Sequence, residues 1–146
     1  MAVVVSACLL GERCKYNGGD NRNEAVIAFC RDREIIPVCP ETAGGLPAPR
    51  PPSEIRDGQV WSKDGANVTE AFRAGALRCL ESCAGRTVEY AILKAHSPSC
   101  GSGEVYDGAF SGKTVAGDGV FAAMLKVRGI PVFTEDQLEE AAQCAG

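Results

Sequence analysis

Short apolar segments alternate along the chain with segments of helical periodicity, and this order constrains the fold more than any other feature. Four apolar segments have the length and β-branched content of strands buried on both faces, and they span residues 2–7, 35–38, 90–93 and 130–133. Apolar residues at helical spacing follow each of them. The alternation predicts an α/β fold, one compact domain over residues 1–146 with a mostly parallel sheet and flanking helices in Rossmann-like layers.

Composition excludes several classes of partner. The 146 residues include 15 basic and 19 acidic side chains, so the net charge of −4 gives no electrostatic footprint for nucleic acid. No segment approaches the roughly 18 apolar residues of a membrane span, and the first residues lack the basic region of a signal peptide. We therefore expect a cytoplasmic protein without a nucleic-acid or membrane partner. The sequence leaves the oligomeric state open.

Cysteine is unusually frequent, with eight residues in the chain. In a reducing compartment such cysteines more often bind metal or act in catalysis than form disulfides. Cys8, Cys39 and Cys100 each follow one of the first three predicted strands. Ligands bind beyond the carboxyl ends of parallel strands, so these three thiols are expected to share one edge of the sheet. The other cysteines are assigned to packing or the surface, apart from the loop residue Cys14, whose role stays open; they are Cys30, Cys79, Cys83 and Cys144.

Three converging thiolates allow more than one ligand. A structural zinc site needs four protein ligands, and either Cys14 or His96, the sole histidine, could complete the set. Iron–sulfur clusters are also held by cysteine thiolates, and three of them would leave one iron open to act as a Lewis acid. No Cys-x-x-Cys pair supports a zinc ribbon or a thioredoxin-like motif.

Residues 40–58 are rich in proline and glycine, and no regular element is predicted there. A loop of this length inside a compact domain is often functional. Residues 102–117 are rich in glycine.

Several motifs, in order along nearly the whole chain, carry a family resemblance. They are Ser6-Ala-Cys-Leu-Leu-Gly11, Cys14-x-Tyr16-x-Gly18, Cys39-Pro-Glu41, the segment from Gly44 to Pro52, Ser97-Pro-Ser-Cys-Gly101 and Tyr106-Asp-Gly-x-Phe110. With these motifs the chain resembles the DUF523 family, which includes the thiouracil desulfurases. The resemblance implies a [4Fe–4S] cluster bound by Cys8, Cys39 and Cys100.

The resemblance also implies an activity, the removal of sulfur from thiouracil-like thiocarbonyl compounds. The open iron would accept the soft sulfur while water attacks the carbon, releasing hydrosulfide. Glu41 would be the general base and Ser97 would orient the substrate or the water. The expected partner is a small thiolated pyrimidine or related thioamide. The alternatives are a zinc-stabilised ligand-binding or scaffold module and a sulfurtransferase that uses a cysteine persulfide.

Overall fold

A computed structural model describes residues 1–145; residue 146, the last of the predicted domain, lies outside the described residues. The strands are β1 (Ala2–Ser6), β2 (Glu34–Val38), β3 (Ser53–Arg56), β4 (Gln59–Ser62), β5 (Val88–Leu93), β6 (Glu104–Tyr106), β7 (Thr114–Ala116) and β8 (Val132–Thr134). The α-helices are α1 (Glu24–Cys30), α2 (Pro40–Ala43), α3 (Thr69–Ser82), α4 (Val120–Val127) and α5 (Leu138–Ala145). A short 3₁₀ helix (Ala7–Leu10) follows β1.

Four strands form one parallel sheet in the order β2-β1-β5-β8. All five residues of β1 are buried, as its three consecutive valines predict for a central strand. Val4 packs with α3 and α4 on one face, whereas Val3 and Val5 pack with α1 and α5 on the other. Helices therefore cover both faces of the sheet, and the predicted α/β fold class is confirmed.

The two glycine-rich or proline-rich segments contain regular structure that the sequence analysis missed. Residues 40–58 include the one-turn helix α2 and the strand β3, which pairs with β4 through a two-residue Asp57-Gly58 turn. Both turn residues have positive φ, as a type I′ hairpin requires. Residues 102–117 form the antiparallel hairpin β6–β7. The expectation that no regular element occupies residues 40–58 was therefore wrong.

Helix α2 packs closely against α3, and two glycines permit the contact. A Cβ atom on Gly75 would overlap the carbonyl oxygen of Pro40, and one on Gly44 would overlap the carbonyl oxygen of Ala71. Because both obstacles are backbone atoms, they cannot rotate away. The two glycines thus fix the position of α2 at the carboxyl end of β2.

We expect Gly75→Ala to lower the Tm by about 5–10 °C, because overpacking at a backbone contact costs roughly 1–3 kcal/mol. Thermal unfolding followed by circular dichroism measures the shift. Gly117→Ala is the control, since its Cβ would meet only the Val105 side chain, at 3.3 Å. Equal Tm values for the Gly75 and Gly117 variants would contradict the close packing of α2.

Within the described residues, no helix combines the length and the apolar character needed to cross a membrane.

Candidate active site

The structure brings the three predicted thiols to one cavity at the carboxyl edge of the parallel sheet. Cys8 lies in the 3₁₀ helix after β1, Cys39 is the N-cap residue of α2 after β2, and Cys100 lies in the loop after β5. All three line a cavity of about 510 Å³. Residues far apart in the sequence therefore meet because parallel strands end at the same edge.

Cys14 adds a fourth thiol to this cavity. The Cys39 thiol donates a hydrogen bond to the Cys14 carbonyl oxygen at 3.9 Å. The Cys14 thiol lowers the pKa of Cys8 and lowers that of Cys39 to about 6, because its S–H stabilises the neighbouring thiolates. The same neighbours, first Cys39, raise the pKa of Cys14 itself. The low pKa of Cys39 favours its thiolate, which is the form of cysteine that binds metal.

Cys100 lies in a different environment from the other thiols. Burial raises the pKa of its thiol, against the opposing effect of hydrogen bonds with Ser6 and Ser99. Such a thiol ionises when a cation or a cluster binds to it, because the metal stabilises the thiolate. Burial therefore makes Cys100 a poor free nucleophile, because it favours the thiol over the thiolate.

The distances between these thiols limit the kinds of metal site that they can form. In the described part of the chain, no three His, Cys, Asp or Glu side chains come close enough to enclose a single metal ion. His96 does not line the cavity; its Nε2 lies 3.6 Å from Glu104 Oε2 and its ring lies against Tyr106. Several cysteine thiols around one cavity of about 510 Å³ have the chemistry of an iron–sulfur site, because such clusters are held by cysteine thiolates.

Glu41 lies in the first turn of α2, two residues beyond Cys39, and its carboxylate faces the same cavity. Its Oε1 accepts hydrogen bonds from Arg50 Nε at 3.2 Å and Nη2 at 3.1 Å. Its Oε2 accepts a hydrogen bond from the hydroxyl of Ser99 at 2.9 Å. Both side chains of the Glu41–Arg50 pair are largely buried, so each charge compensates the other.

Arg50 is a site residue whose partner the sequence analysis did not identify. Besides Glu41, its guanidinium donates to the carbonyl oxygens of Cys14, at 2.9 Å, and Pro47, at 3.1 Å. These bonds tie the proline-rich segment to the loop that carries Cys14. The Arg50 guanidinium therefore donates its hydrogen bonds to acceptors of the protein and is not available to bind substrate.

Ser97 and Ser99 have different surroundings, although both line the cavity. The Ser97 hydroxyl accepts hydrogen bonds from the backbone N–H groups of Ser99 and Cys100, both at 3.2 Å, and lies 3.0 Å from the Ser99 hydroxyl. Only Ser99 contacts Glu41 directly. Ser97 thus fixes the turn that carries Cys100, and Ser99 is a further site residue that the sequence analysis missed.

The chain is similar to known proteins in both sequence and structure. The sequence profile of the 2-thiouracil desulfurase family matches residues 3–137, which is most of the chain. The chain belongs to this family. The DUF523 resemblance is thereby confirmed, and with it the prediction of a desulfurase.

Two relatives of this desulfurase family show how far the similarity extends. A solved structure, the [4Fe–4S]-dependent thiouracil desulfidase TudS, is 42% identical, with a TM-score of 0.91 over 99% of this chain and 97% of that chain. The protein YbbK of Bacillus subtilis (strain 168), described as uncharacterized, is 37% identical over 148 residues, covering 94% of this chain and 98% of its own. The likeness therefore extends over the whole fold, including the elements that carry the cavity.

Proposed function

We propose that this chain is a [4Fe–4S]-dependent desulfurase that removes sulfur from thiouracil-like thiocarbonyl compounds, with Cys8, Cys39 and Cys100 as the cluster ligands. The observation that carries the proposal is the meeting of three thiols from three separate strand ends in one cavity with an ion-paired carboxylate. The likeness to TudS over the whole chain supports the cofactor and the substrate class. The cysteines that the family resemblance implies are the same three.

When bound, the cluster supplies a soft, Lewis-acidic iron that suits a thiocarbonyl sulfur better than an oxygen. The protein supplies the proton chemistry. Glu41 accepts a proton from the attacking water, and its carboxylate is held for this task by Arg50 on Oε1 and by Ser99 on Oε2. Ser97 positions this group through its hydrogen bonds to Ser99.

The overall reaction is a hydrolysis. One C=S bond and one water molecule give one C=O bond and H₂S, which leaves as hydrosulfide and one proton; thiouracil thus yields uracil, and no electrons are gained or lost. Glu41 returns the proton it took from water to the departing sulfur, which restores the carboxylate, and the second water proton passes to solvent as the C=O bond forms. The proposed partner is a free small molecule.

Anaerobic reconstitution with iron and sulfide, followed by incubation with 2-thiouracil, tests this function. We expect a brown protein that releases sulfide and uracil in equal amounts, measured colorimetrically and by chromatography. A colourless protein with stoichiometric zinc and no sulfide release would contradict the proposal and favour the scaffold alternative. A metal-free protein that already carries a labile persulfide as purified, before thiouracil is added, would favour the sulfurtransferase alternative.

A further inference from the structure

Glu54, in strand β3, is a buried carboxylate in the cavity wall that the proposed reaction does not use. The residue is 8% exposed and lines the same cavity as the thiols. Its Oε1 accepts hydrogen bonds from the backbone N–H groups of Gly108, at 3.0 Å, and Phe110, at 3.1 Å. One carboxylate oxygen thus fastens the loop between β6 and β7, which contributes Phe110 and Gly112 to the wall.

The loop and β3 are in close contact at this point. A Cβ atom on Gly108 would lie 2.6 Å from the carbonyl oxygen of Ile55 and 2.7 Å from Cβ of Arg56. Gly108 and Phe110 both have positive φ, and both donate their N–H groups to the carboxylate. The position of Glu54 in the wall is therefore set by backbone packing as well as by hydrogen bonds.

The other oxygen of Glu54 remains available. No hydrogen bond or ion pair within the described chain reaches Oε2. Over the same residues, however, no fully buried side-chain oxygen lacks a partner, so Oε2 keeps accessible surface. Since Glu54 is almost entirely enclosed and lines the cavity, this surface faces the space where a ligand would lie.

An ionised carboxylate has about four acceptor positions and no donor. Two of those of Glu54 are used by backbone amides, and the cavity lysines Lys15, Lys63 and Lys94 form no ion pair with it. Both oxygens of Glu41, by contrast, already accept hydrogen bonds from protein donors. Among the acidic residues that line the cavity, Glu54 Oε2 is thus the carboxylate oxygen that accepts no hydrogen bond from a described protein donor.

We propose that Glu54 Oε2 accepts a hydrogen bond from a ring N–H group of the pyrimidine and so selects ligands that carry this donor. The inference rests on the proposed substrate class, in which N–H groups flank the thiocarbonyl or carbonyl carbon. A ligand methylated at that nitrogen leaves the buried oxygen without a partner and places a methyl group against it. Sites built to receive a polar hydrogen reject such analogues strongly.

Binding of the product, uracil, tests the assignment without any sulfur chemistry. Affinities of uracil, 1-methyluracil and 3-methyluracil for the anaerobically reconstituted protein are measured by calorimetry, for the wild type and for Glu54→Gln. Glutamine keeps an acceptor oxygen for Gly108 and Phe110 but replaces the other oxygen with an NH₂ donor.

We expect Glu54→Gln to weaken uracil binding by about 10- to 100-fold, as for the loss of a hydrogen bond to a charged group. One of the two methyluracils should bind weakly to the wild type and with the same affinity to the variant. The position of its methyl group then identifies the nitrogen that Glu54 recognises.

Two outcomes would overturn the inference. Equal weakening of all three ligands would show that Glu54 acts only by holding the loop, and an unchanged affinity for uracil would show that it does not touch the ligand. If the variant does not fold, the wild type alone decides, because similar affinities for all three ligands would contradict recognition of a ring N–H.

The result is separable from a failure of the proposed function. If the wild type releases sulfide and Glu54→Gln binds uracil as tightly as the wild type, only the proposed role of Glu54 is wrong. If uracil binding depends on Glu54 but the wild type releases no sulfide, the proposed desulfurase activity is wrong and the proposed pyrimidine-binding pocket still holds.

Discussion

Replacing Cys8, Cys39 or Cys100 by alanine is expected to leave a colourless protein after anaerobic reconstitution, with iron and acid-labile sulfide reduced by at least about tenfold. Each substitution removes one of only three proposed ligands, and cluster retention depends on thiolate coordination. The three thiols come from separate elements, so a neighbouring residue of the same element cannot replace the lost ligand. Iron and sulfide per chain, together with the visible absorption spectrum, measure the effect.

Cys30→Ala is the matched control for these variants. Cys30 is also a buried thiol, but it lies in α1 and packs on the other face of the sheet from Cys100. Its variant is expected to keep the brown colour and the iron content of the wild type. Loss of the cluster in all four variants to the same extent would contradict the ligand assignment.

Cys14 needs a control of its own, because its thiol lies against those of Cys8 and Cys39. We expect Cys14→Ser to retain the cluster, since serine preserves a hydrogen-bond donor beside both thiolates. Loss of iron from the Cys14 variant equal to that from the Cys39 variant would make Cys14 a ligand.

Glu41→Gln is expected to retain the cluster and to lower the rate of sulfide release by roughly 10²- to 10⁴-fold, the usual contribution of a general base. Glutamine is of nearly the same size and still offers an oxygen to Arg50, but it cannot accept a proton from water. The measurements are kcat for sulfide release and iron content on the same preparation.

Glu70→Gln is the control for replacing a glutamate by glutamine outside the cavity. Glu70 lies on the exposed side of α3, paired with Arg73 at 3.6 Å, and its variant should turn over at the wild-type rate. If the Glu41 variant also releases sulfide at the wild-type rate, Glu41 is not the base. If it loses its iron, Glu41 supports the cluster and the drop in rate has another cause.

The sheet and the meeting of the thiols were predictable because both depend on patterns that are local in the sequence. The valine run of β1 indicates a strand buried on both faces, and Cys8 lies two residues beyond it. Cys39 comes directly after β2, but the prediction that this strand is buried on both faces was wrong, because β2 is an edge strand with Pro37 exposed. Once the strands are parallel, their carboxyl ends define the site. No knowledge of distant side-chain contacts is needed for that step.

The helix α2 was not predictable in the same way. It has one turn and begins at Pro40, in a segment whose prolines and glycines indicate a loop. It is stabilised by its contact with Gly75 of α3, which is a tertiary interaction. The β3–β4 hairpin, by contrast, carries a readable signal in Asp57-Gly58 that the sequence analysis did not use.

The partners of Glu41 depend on loop conformation. Ser97 and Ser99 occur in one short motif, and only the turn after β5 decides which hydroxyl faces the carboxylate. Arg50 reaches Glu41 across the proline-rich segment, whose course no periodicity indicates. Sequence patterns therefore predict the element that carries a site residue better than the atoms it contacts.

We propose that three cysteines of this chain hold a four-iron cluster whose remaining iron has no protein ligand. Anomalous diffraction at the iron edge, from crystals of the anaerobically reconstituted protein, tests it most directly. We predict four iron positions in the cavity, three of them next to the sulfur atoms of Cys8, Cys39 and Cys100. A single metal position, or a fourth iron bound by Cys14, would contradict the claim.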